Sequence, residues 1–199
     1  MALDAALGAL ASIPKGIGKA DLQFGIVVRD LDAAMAQWSG LLGCGPWVVI
    51  NQFPGYSFFH RGVKSDVKFT VAFAYWGDIQ IELIRQDNDA ASPYKEFIDS
   101  GREGLQHFGV FVRDYASARA ALEGAGMETV YVIKTGHPND TIYYGSPAAV
   151  GPMIELVELH DLRVKSFGAI RKICESTGGP TVRRYGAFAD IVADAEKMG

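Results

Sequence analysis

Four side chains able to donate a lone pair stand at matched places in a chain that says nearly the same thing twice. Leu22 to Asp30 reads Leu-Gln-Phe-Gly-Ile-Val-Val-Arg-Asp, and Leu105 to Asp114 reads Leu-Gln-His-Phe-Gly-Val-Phe-Val-Arg-Asp. Laid together without a gap, Phe24-Gly25 falls on Phe108-Gly109 and Val28-Arg29-Asp30 on Val112-Arg113-Asp114, which sets Gln23 on His107. Each copy also closes on one phrase, Ile81-Glu82-Leu83-Ile84 in the first and Ile154-Glu155-Leu156-Val157 in the second. A glutamate inside an apolar strand is costly unless it is paired, hydrogen-bonded or metal-bound. Strand alternation sends Glu82 away from Ile81 and Leu83, Glu155 away from Ile154 and Leu156, Gln23 away from Phe24 and His107 away from Phe108. If the first and last strands of each copy neighbour one another in a curved sheet, Gln23, Glu82, His107 and Glu155 converge in one cavity.

The elements that would carry them follow from the apolar periodicity. Leu22 to Arg29 reads as a strand. Asp30 can cap a helix whose stripe is Leu31, Ala34, Met35, Trp38 and Leu42, stopped by Gly43-Cys44-Gly45-Pro46. Trp47 to Ile50 is extended. In Val67 to Trp76, Val67, Phe69, Val71, Phe73 and Tyr75 alternate over one face. Gly77-Asp78 turns the chain into a returning strand, Ile79 to Ile84. Pro93 suits the first position of a short helix, Tyr94 to Ser100. The order then repeats, with a strand at Gln106–Arg113, a helix at Tyr115–Gly124, extended segments at Glu128–Lys134 and Thr141–Tyr144, and a last strand at Met153–Leu159. Gly136 to Asp140 is a loop. Beyond His160, Val164, Phe167, Ile170, Ile173 and Cys174 fall at helical spacing. Gly178-Gly179-Pro180 breaks the chain, and Tyr185, Phe188, Ile191, Val192 and Ala195 mark a second amphipathic helix. The fold class is α+β, with two tandem β-α-β-β-β modules and a C-terminal helical extension. Its divisions are an N-terminal arm over 1–20, modules over 21–86 and 104–160, a linker with a short helix over 87–103, and the extension over 161–199.

This duplicated module, with a ligand on its first strand and a glutamate on its last, resembles the vicinal oxygen chelate superfamily. Glyoxalase I, methylmalonyl-CoA epimerase, the extradiol dioxygenases and the bleomycin-resistance proteins belong to that group. The resemblance spans about residues 20–160 and rests on Phe-Gly-Ile-Val-Val-Arg-Asp-Leu-Asp-Ala-Ala, Ile-Glu-Leu-Ile and Gly-Leu-Gln-His-Phe-Gly-Val-Phe-Val. It implies that Gln23, Glu82, His107 and Glu155 bind one divalent metal ion that chelates vicinal oxygens of a small-molecule carbonyl substrate. One imidazole, one amide oxygen and two carboxylates suit Zn, Ni, Co, Mn or Mg better than a thiolate metal. The two-histidine, one-carboxylate iron site of extradiol dioxygenases departs from this set at Gln23. The set is similar to that of glyoxalase I, whereas Gly45-Pro46-Trp47 and the general wording look more like the epimerases. The implied function is a metal-dependent isomerase or epimerase working through a metal-stabilised enediolate, with Glu155 as the proton-transferring base and Glu82 as its counterpart. The alternatives are a lyase of glyoxalase I type and a metal-free small-molecule binder of the bleomycin-resistance type.

Candidate substrate contacts are His60 and Arg61, which follow the aromatic run Tyr56-Ser57-Phe58-Phe59 and otherwise read as a solvated hairpin, together with Tyr75 and Tyr144. Tyr143 and Tyr144 face opposite ways, so one of them lines the cavity. Across 199 residues, 49% hydrophobic and 21% charged, the composition is that of a globular chain. A net charge of −4 and the lack of a basic, aromatic-interleaved stripe argue against nucleic acid. No apolar run reaches the roughly 18 residues needed to span a membrane. Two cysteines, Cys44 and Cys174, without metal spacing suit a reducing cytoplasm. The apolar N-terminus lacks a positive n-region and reads as a docking helix or loose arm rather than a signal peptide. The two amphipathic tail helices suggest a homodimer.

Overall fold

A computed structural model describes residues 22–145, 152–177, 179 and 181–198; the expected arm over 1–20 lies outside them, as do Gly178 and Pro180 of the tail breaker. The described residues form one mixed sheet of 11 strands carrying helices, an α+β architecture. In chain order the elements are β1 (Leu22–Val27), α1 (Leu31–Leu42), β2 (Trp47–Ile50), β3 (Ser57–His60), β4 (Val63–Ser65), β5 (Phe69–Trp76), β6 (Ile79–Gln86), α2 (Pro93–Asp99), β7 (Gly104–Val112), α3 (Tyr115–Gly124), β8 (Glu128–Lys134), β9 (Thr141–Gly145), β10 (Met153–Glu158), α4 (Asp161–Cys174), β11 (Val182–Tyr185) and α5 (Phe188–Lys197). The sheet order is β11-β2-β5-β6-β1-β7-β10-β9-β8-β3-β4.

At the centre the two copies of the repeated phrase meet. β1 and β7 run antiparallel, each with its module's last strand, β6 or β10, parallel beside it. Phe24 pairs with Phe108, its own counterpart in the repeat, so a pseudo-twofold axis passes through that pair. Their rings touch edge to face, with centroids 5.6 Å apart. α1 begins where Asp30 accepts a hydrogen bond from the Ala33 amide at 3.0 Å and ends at Gly43, whose φ of 69° a side chain would oppose. Asp114 caps α3 and Ser92 caps α2 in the same manner.

Strand alternation divides the core by faces. On one face, Ala72, Ala74, Ile81 and Leu83 pack under Leu31 and Met35 of α1, while Ile142, Tyr144, Ile154 and Leu156 pack under Tyr115, Ala118 and Leu122 of α3. The other, concave face gathers Val71, Phe73, Ile84, Tyr131 and Tyr143 against the tail helices.

Two pairings go beyond the sequence expectation. The segment after β2 is a paired hairpin: β3 pairs with β8, from Ser57 opposite Lys134 to His60 opposite Tyr131, so residues of the first copy extend the second copy's end of the sheet. In the tail, β11 precedes the last helix and adds parallel to β2, with Val182 opposite Trp47. The apolar stripes that suggested a homodimer are covered within the chain. Ala169, Ile170, Ile173, Cys174, Ile191 and Ala195 are buried in the concave-face core. Arg171 ties the tail to the β5–β6 turn through Asp78 at 2.9 Å.

Candidate metal centre

The central four strands place the site residues in two rows. Gly25 on β1 has His107 opposite it on β7 and Glu82 beside it on β6; Gly109 on β7 has Gln23 opposite it on β1 and Glu155 beside it on β10. Each ligand-type side chain therefore leans over a glycine. A Cβ on Gly25 would fall within the His107 ring, and one on Gly109 would stand 2.7 Å from Gln23 Oε1 and 3.2 Å from Glu155 Oε2. The glycines of the repeated Phe-Gly are thus a spatial requirement of the cluster.

His107 is fully buried, with Nε2 at 3.4 Å from Glu82 Oε2 and 3.5 Å from Glu155 Oε2. Candidate ligand atoms of Glu82, His107 and Glu155 all lie within 4.8 Å of one another. A register shift between Gly25 and Ile26 explains how the imidazole is oriented. His107 pairs with Gly25 and Leu105 with Ile26, leaving Gln106 as the extra residue of a β-bulge. The bulge lets the Gln106 side chain reach its neighbour. Gln106 Nε2 donates to the Pro93 carbonyl at 3.2 Å, so its Oε1 is the atom 2.7 Å from His107 Nδ1. Nδ1–H must then be the donor, and Nε2 is the atom left for the cavity. Gln23 is oriented likewise: its Nε2 donates to Gln80 Oε1 at 2.7 Å, and Gln80 Nε2 donates to the Tyr75 hydroxyl at 2.8 Å.

Three inward atoms end up buried without a hydrogen-bond partner, Gln23 Oε1, Glu82 Oε2 and His107 Nε2. Burial raises the Glu82 carboxyl, with the nearby Glu155 charge adding to the effect and His107 opposing it. For His107 burial pulls the other way, yet the close Glu155 and Glu82 carboxylates prevail and lift the imidazole to about 9. Two carboxylates around one imidazole, with no Lys or Arg ion-paired to them among the described residues, form a proton-binding site that a divalent cation can take over. The residues fit such an ion in donor type, convergence and unmet bonding capacity.

Gln23, Glu82 and Glu155 line a cavity of about 60 Å³, with His107 buried behind them. Its walls are aromatic, with Phe58, Phe69, Phe73 and Tyr143 from the sheet, Tyr94 from α2, and Phe167 and Phe188 from the tail. Tyr143, opposite Glu155 on β9, is the inward member of its tyrosine pair and shares a 3.1 Å hydroxyl contact with Tyr94. Tyr144 points to the helix side, its hydroxyl 3.3 Å from Glu123 Oε1. Of the other expected substrate contacts, His60 and Arg61 lie on the β3–β4 hairpin and are held to Glu96 of α2, at 3.4 and 3.0 Å. Tyr75 supports Gln80. None of these four lines the cavity, because strand alternation turns Tyr144 to the helix side and the hairpin carries His60 and Arg61 to the sheet's far end.

The sequence did not point to Gln106, Gln80, Arg163 or Phe188. Gln80 was within reach, since it stands two residues from Glu82 on the same strand face. Gln106 was hidden by alternation, which only the bulge overrides. Arg163 and Phe188 carried no signal beyond belonging to an amphipathic tail.

The sequence matches the Glyoxalase/Bleomycin resistance protein/Dioxygenase superfamily over residues 22–144. No curated protein matches it. A solved methylmalonyl-CoA epimerase from Mycobacterium tuberculosis is similar in fold, with a TM-score of 0.51 and 20% identity, covering 78% of this chain and 98% of that one. A hypothetical protein from Bacillus halodurans C-125 aligns with a TM-score of 0.49 and 19% identity over 70% of this chain and 93% of its own. A methylmalonyl-CoA epimerase from Streptomyces coelicolor gives 0.45 and 16% over 72% and 98%.

Proposed function

The chain belongs to the glyoxalase/bleomycin resistance protein/dioxygenase superfamily, and on that premise we propose that it is a divalent-metal-dependent isomerase or epimerase that moves a proton at a carbon next to a carbonyl. Gln23, Glu82, His107 and Glu155 would hold the ion. When bound, the ion supplies Lewis acidity at the substrate carbonyl. The observation that carries the reading is the set of buried, converging and unpartnered atoms at one point, Gln23 Oε1, Glu82 Oε2 and His107 Nε2, with Glu155 beside them.

The chain's own groups divide the remaining work. Gln106 fixes the imidazole tautomer, and Gln80 fixes the Gln23 amide. The aromatic walls keep bulk water from the acidified carbon. Glu155 is the base. Glu82 is its counterpart, the group that returns a proton. The two come from the last strands of the two modules and lie 3.4 and 3.5 Å from His107 Nε2, and in this reading one takes a proton from one face of a planar intermediate and the other returns it to the opposite face. Inversion at carbon needs that two-sided arrangement.

The test begins with titration calorimetry of chelator-stripped protein against Mn, Co, Ni and Zn ions, where one equivalent is expected to bind. With a turned-over substrate in D₂O, deuterium should appear at the α-carbon. Glu155→Gln should then lose about 10²–10⁴ in rate while remaining folded. Failure to bind any of the ions would overturn the metal assignment and leave a small-molecule binder. Unchanged turnover by Glu155→Gln would place the base elsewhere.

A further inference from the structure

The tail lines the same cavity as Gln23, Glu82 and Glu155, and its cation there is Arg163 of α4. Two other cations of α4 are ion-paired: Lys165 with Glu196 at 2.8 Å, and Arg171 with Asp78 and Glu175 at 2.9 and 2.7 Å. Among the described residues no carboxylate lies within ion-pair distance of Arg163. Its guanidinium carbon stands 5.8 Å from the centre of the Phe167 ring.

Arg163 also lines a second chamber of about 280 Å³, which shares Tyr56, Arg163 and Phe188 with the inner cavity. His137 and His160 stack 3.9 Å apart in its wall, and His160 Nε2 is buried without a partner. On the inner side, Thr135 Oγ1 is likewise buried and unpartnered. A half-buried guanidinium with no counter-ion at the junction of two largely apolar chambers is matched by one kind of ligand group, a carboxylate able to take two parallel N–H donors. Burial, His137 and Arg163 all disfavour a charge on His160. Arg163 is the one cationic side chain shared by the linings of the two chambers, which suits a monoanion better than a phosphate.

We propose that Arg163 is the specificity-determining residue of this site and that the substrate is a monocarboxylic acid with an apolar body. Its carboxylate lies at the Arg163 junction, its reacting carbonyl faces the Glu82–His107–Glu155 cluster, and its apolar part lies against Phe167 and Phe188. The inner cavity is smaller than the roughly 150 Å³ that holds a benzene ring, so a bulky body extends into the outer chamber. This assignment rests on the reading of the cluster as the reaction centre, but it is tested separately from it.

The experiment measures binding of two acid–amide pairs, phenylacetate with phenylacetamide and isovalerate with isovaleramide, by calorimetry at pH 7.5. Wild type, Arg163→Met and Arg163→Lys are compared, each chelator-stripped and each loaded with Mn. Wild type is expected to prefer each acid about tenfold or more over its amide. Arg163→Met should lose the preference and Arg163→Lys keep part of it. Preference in the stripped protein that disappears in Arg163→Met upholds the assignment even if no metal binds. Preference that persists in Mn-loaded Arg163→Met would mean that the ion reads the anion, overturning the role of Arg163 while leaving the metal centre intact. Equal affinity of wild type for acid and amide, or no binding of either acid at 10 mM, on the order of a weak-fragment limit, would also overturn it. The wild-type comparison stands even if Arg163→Met fails to fold.

Discussion

At the scale of single residues, the two glycines of the Phe-Gly repeats are as closely tied to the site as the side chains they accommodate. Gly25→Ala puts a methyl group where the His107 ring stands, so the ring must leave its hydrogen bond to Gln106. We expect a loss of more than about tenfold in metal affinity and a destabilisation of about 1–3 kcal/mol from overpacking; calorimetry and thermal melts would show it, and wild-type affinity in this variant would show that His107 is not a ligand. Gln106→Leu removes the acceptor of the Nδ1 proton without touching the cavity atoms. A drop of about 10–100-fold in metal affinity is expected. A Gln106→Leu variant that binds as tightly as wild type would show that the tautomer is fixed by something else. Gln23, Glu82, His107 and Glu155 were legible in the sequence because the repeat marked equivalent places and strand alternation gave each a direction. Gln106 was not legible, because a bulge is a property of two strands in register and neither strand announces it alone.

At the scale of elements, the tail decides whether the aromatic cavity is a pocket or an open trough. α4 and α5 bury Ile170, Ile173 and Ile191 completely on the concave face, and each such side chain stabilises the closed form by roughly 1.5–3 kcal/mol. Ile173→Ala should cost about 2–5 kcal/mol, read as a shift in urea midpoint at unchanged slope. A shift below about 0.5 kcal/mol would mean that the tail contributes little to the cooperative unit. The helices themselves were readable, since Asp30 and Pro93 mark their starts and apolar residues recur at helical spacing. The joining of β3 to β8 and the strand β11 were not. Ser57–His60 and Val182–Tyr185 are only 4 residues each, and their partners, β8 and β2, lie far away in the chain. Strand pairing at that separation depends on tertiary packing rather than on local preference.

For the molecule as a whole, the buried cluster links metal, protons and folding. In the metal-stripped chain His107 holds its proton to about 9, against an ordinary value near 6.5. Between those values the folded chain keeps a proton that the unfolded chain releases, so this contribution to stability is full below about pH 6.5 and is lost as pH rises through about 9. Glu82, also raised, acts in the same direction. Stripped protein should therefore melt at a lower temperature at pH 9.5 than at pH 6.5, whereas an added divalent ion, which competes with that proton, should stabilise more at the higher pH. Circular dichroism melts with and without ion would decide this, and a stripped melting point that rises with pH would show that His107 enters the fold neutral. The interleaved sheet has a consequence of another kind, for synthesis on the ribosome. β2 gains its outer neighbour only when Val182 to Tyr185 has emerged, and the β3–β4 hairpin cannot join the sheet until Tyr131 to Lys134 has followed it. Neither half can complete its edge as a nascent domain, so the chain must carry unpaired strand edges through most of its translation. Ribosome-stalled chains ending after residue 90 should be held by chaperones and cut readily by protease, where a tandem of independent modules would already be resistant.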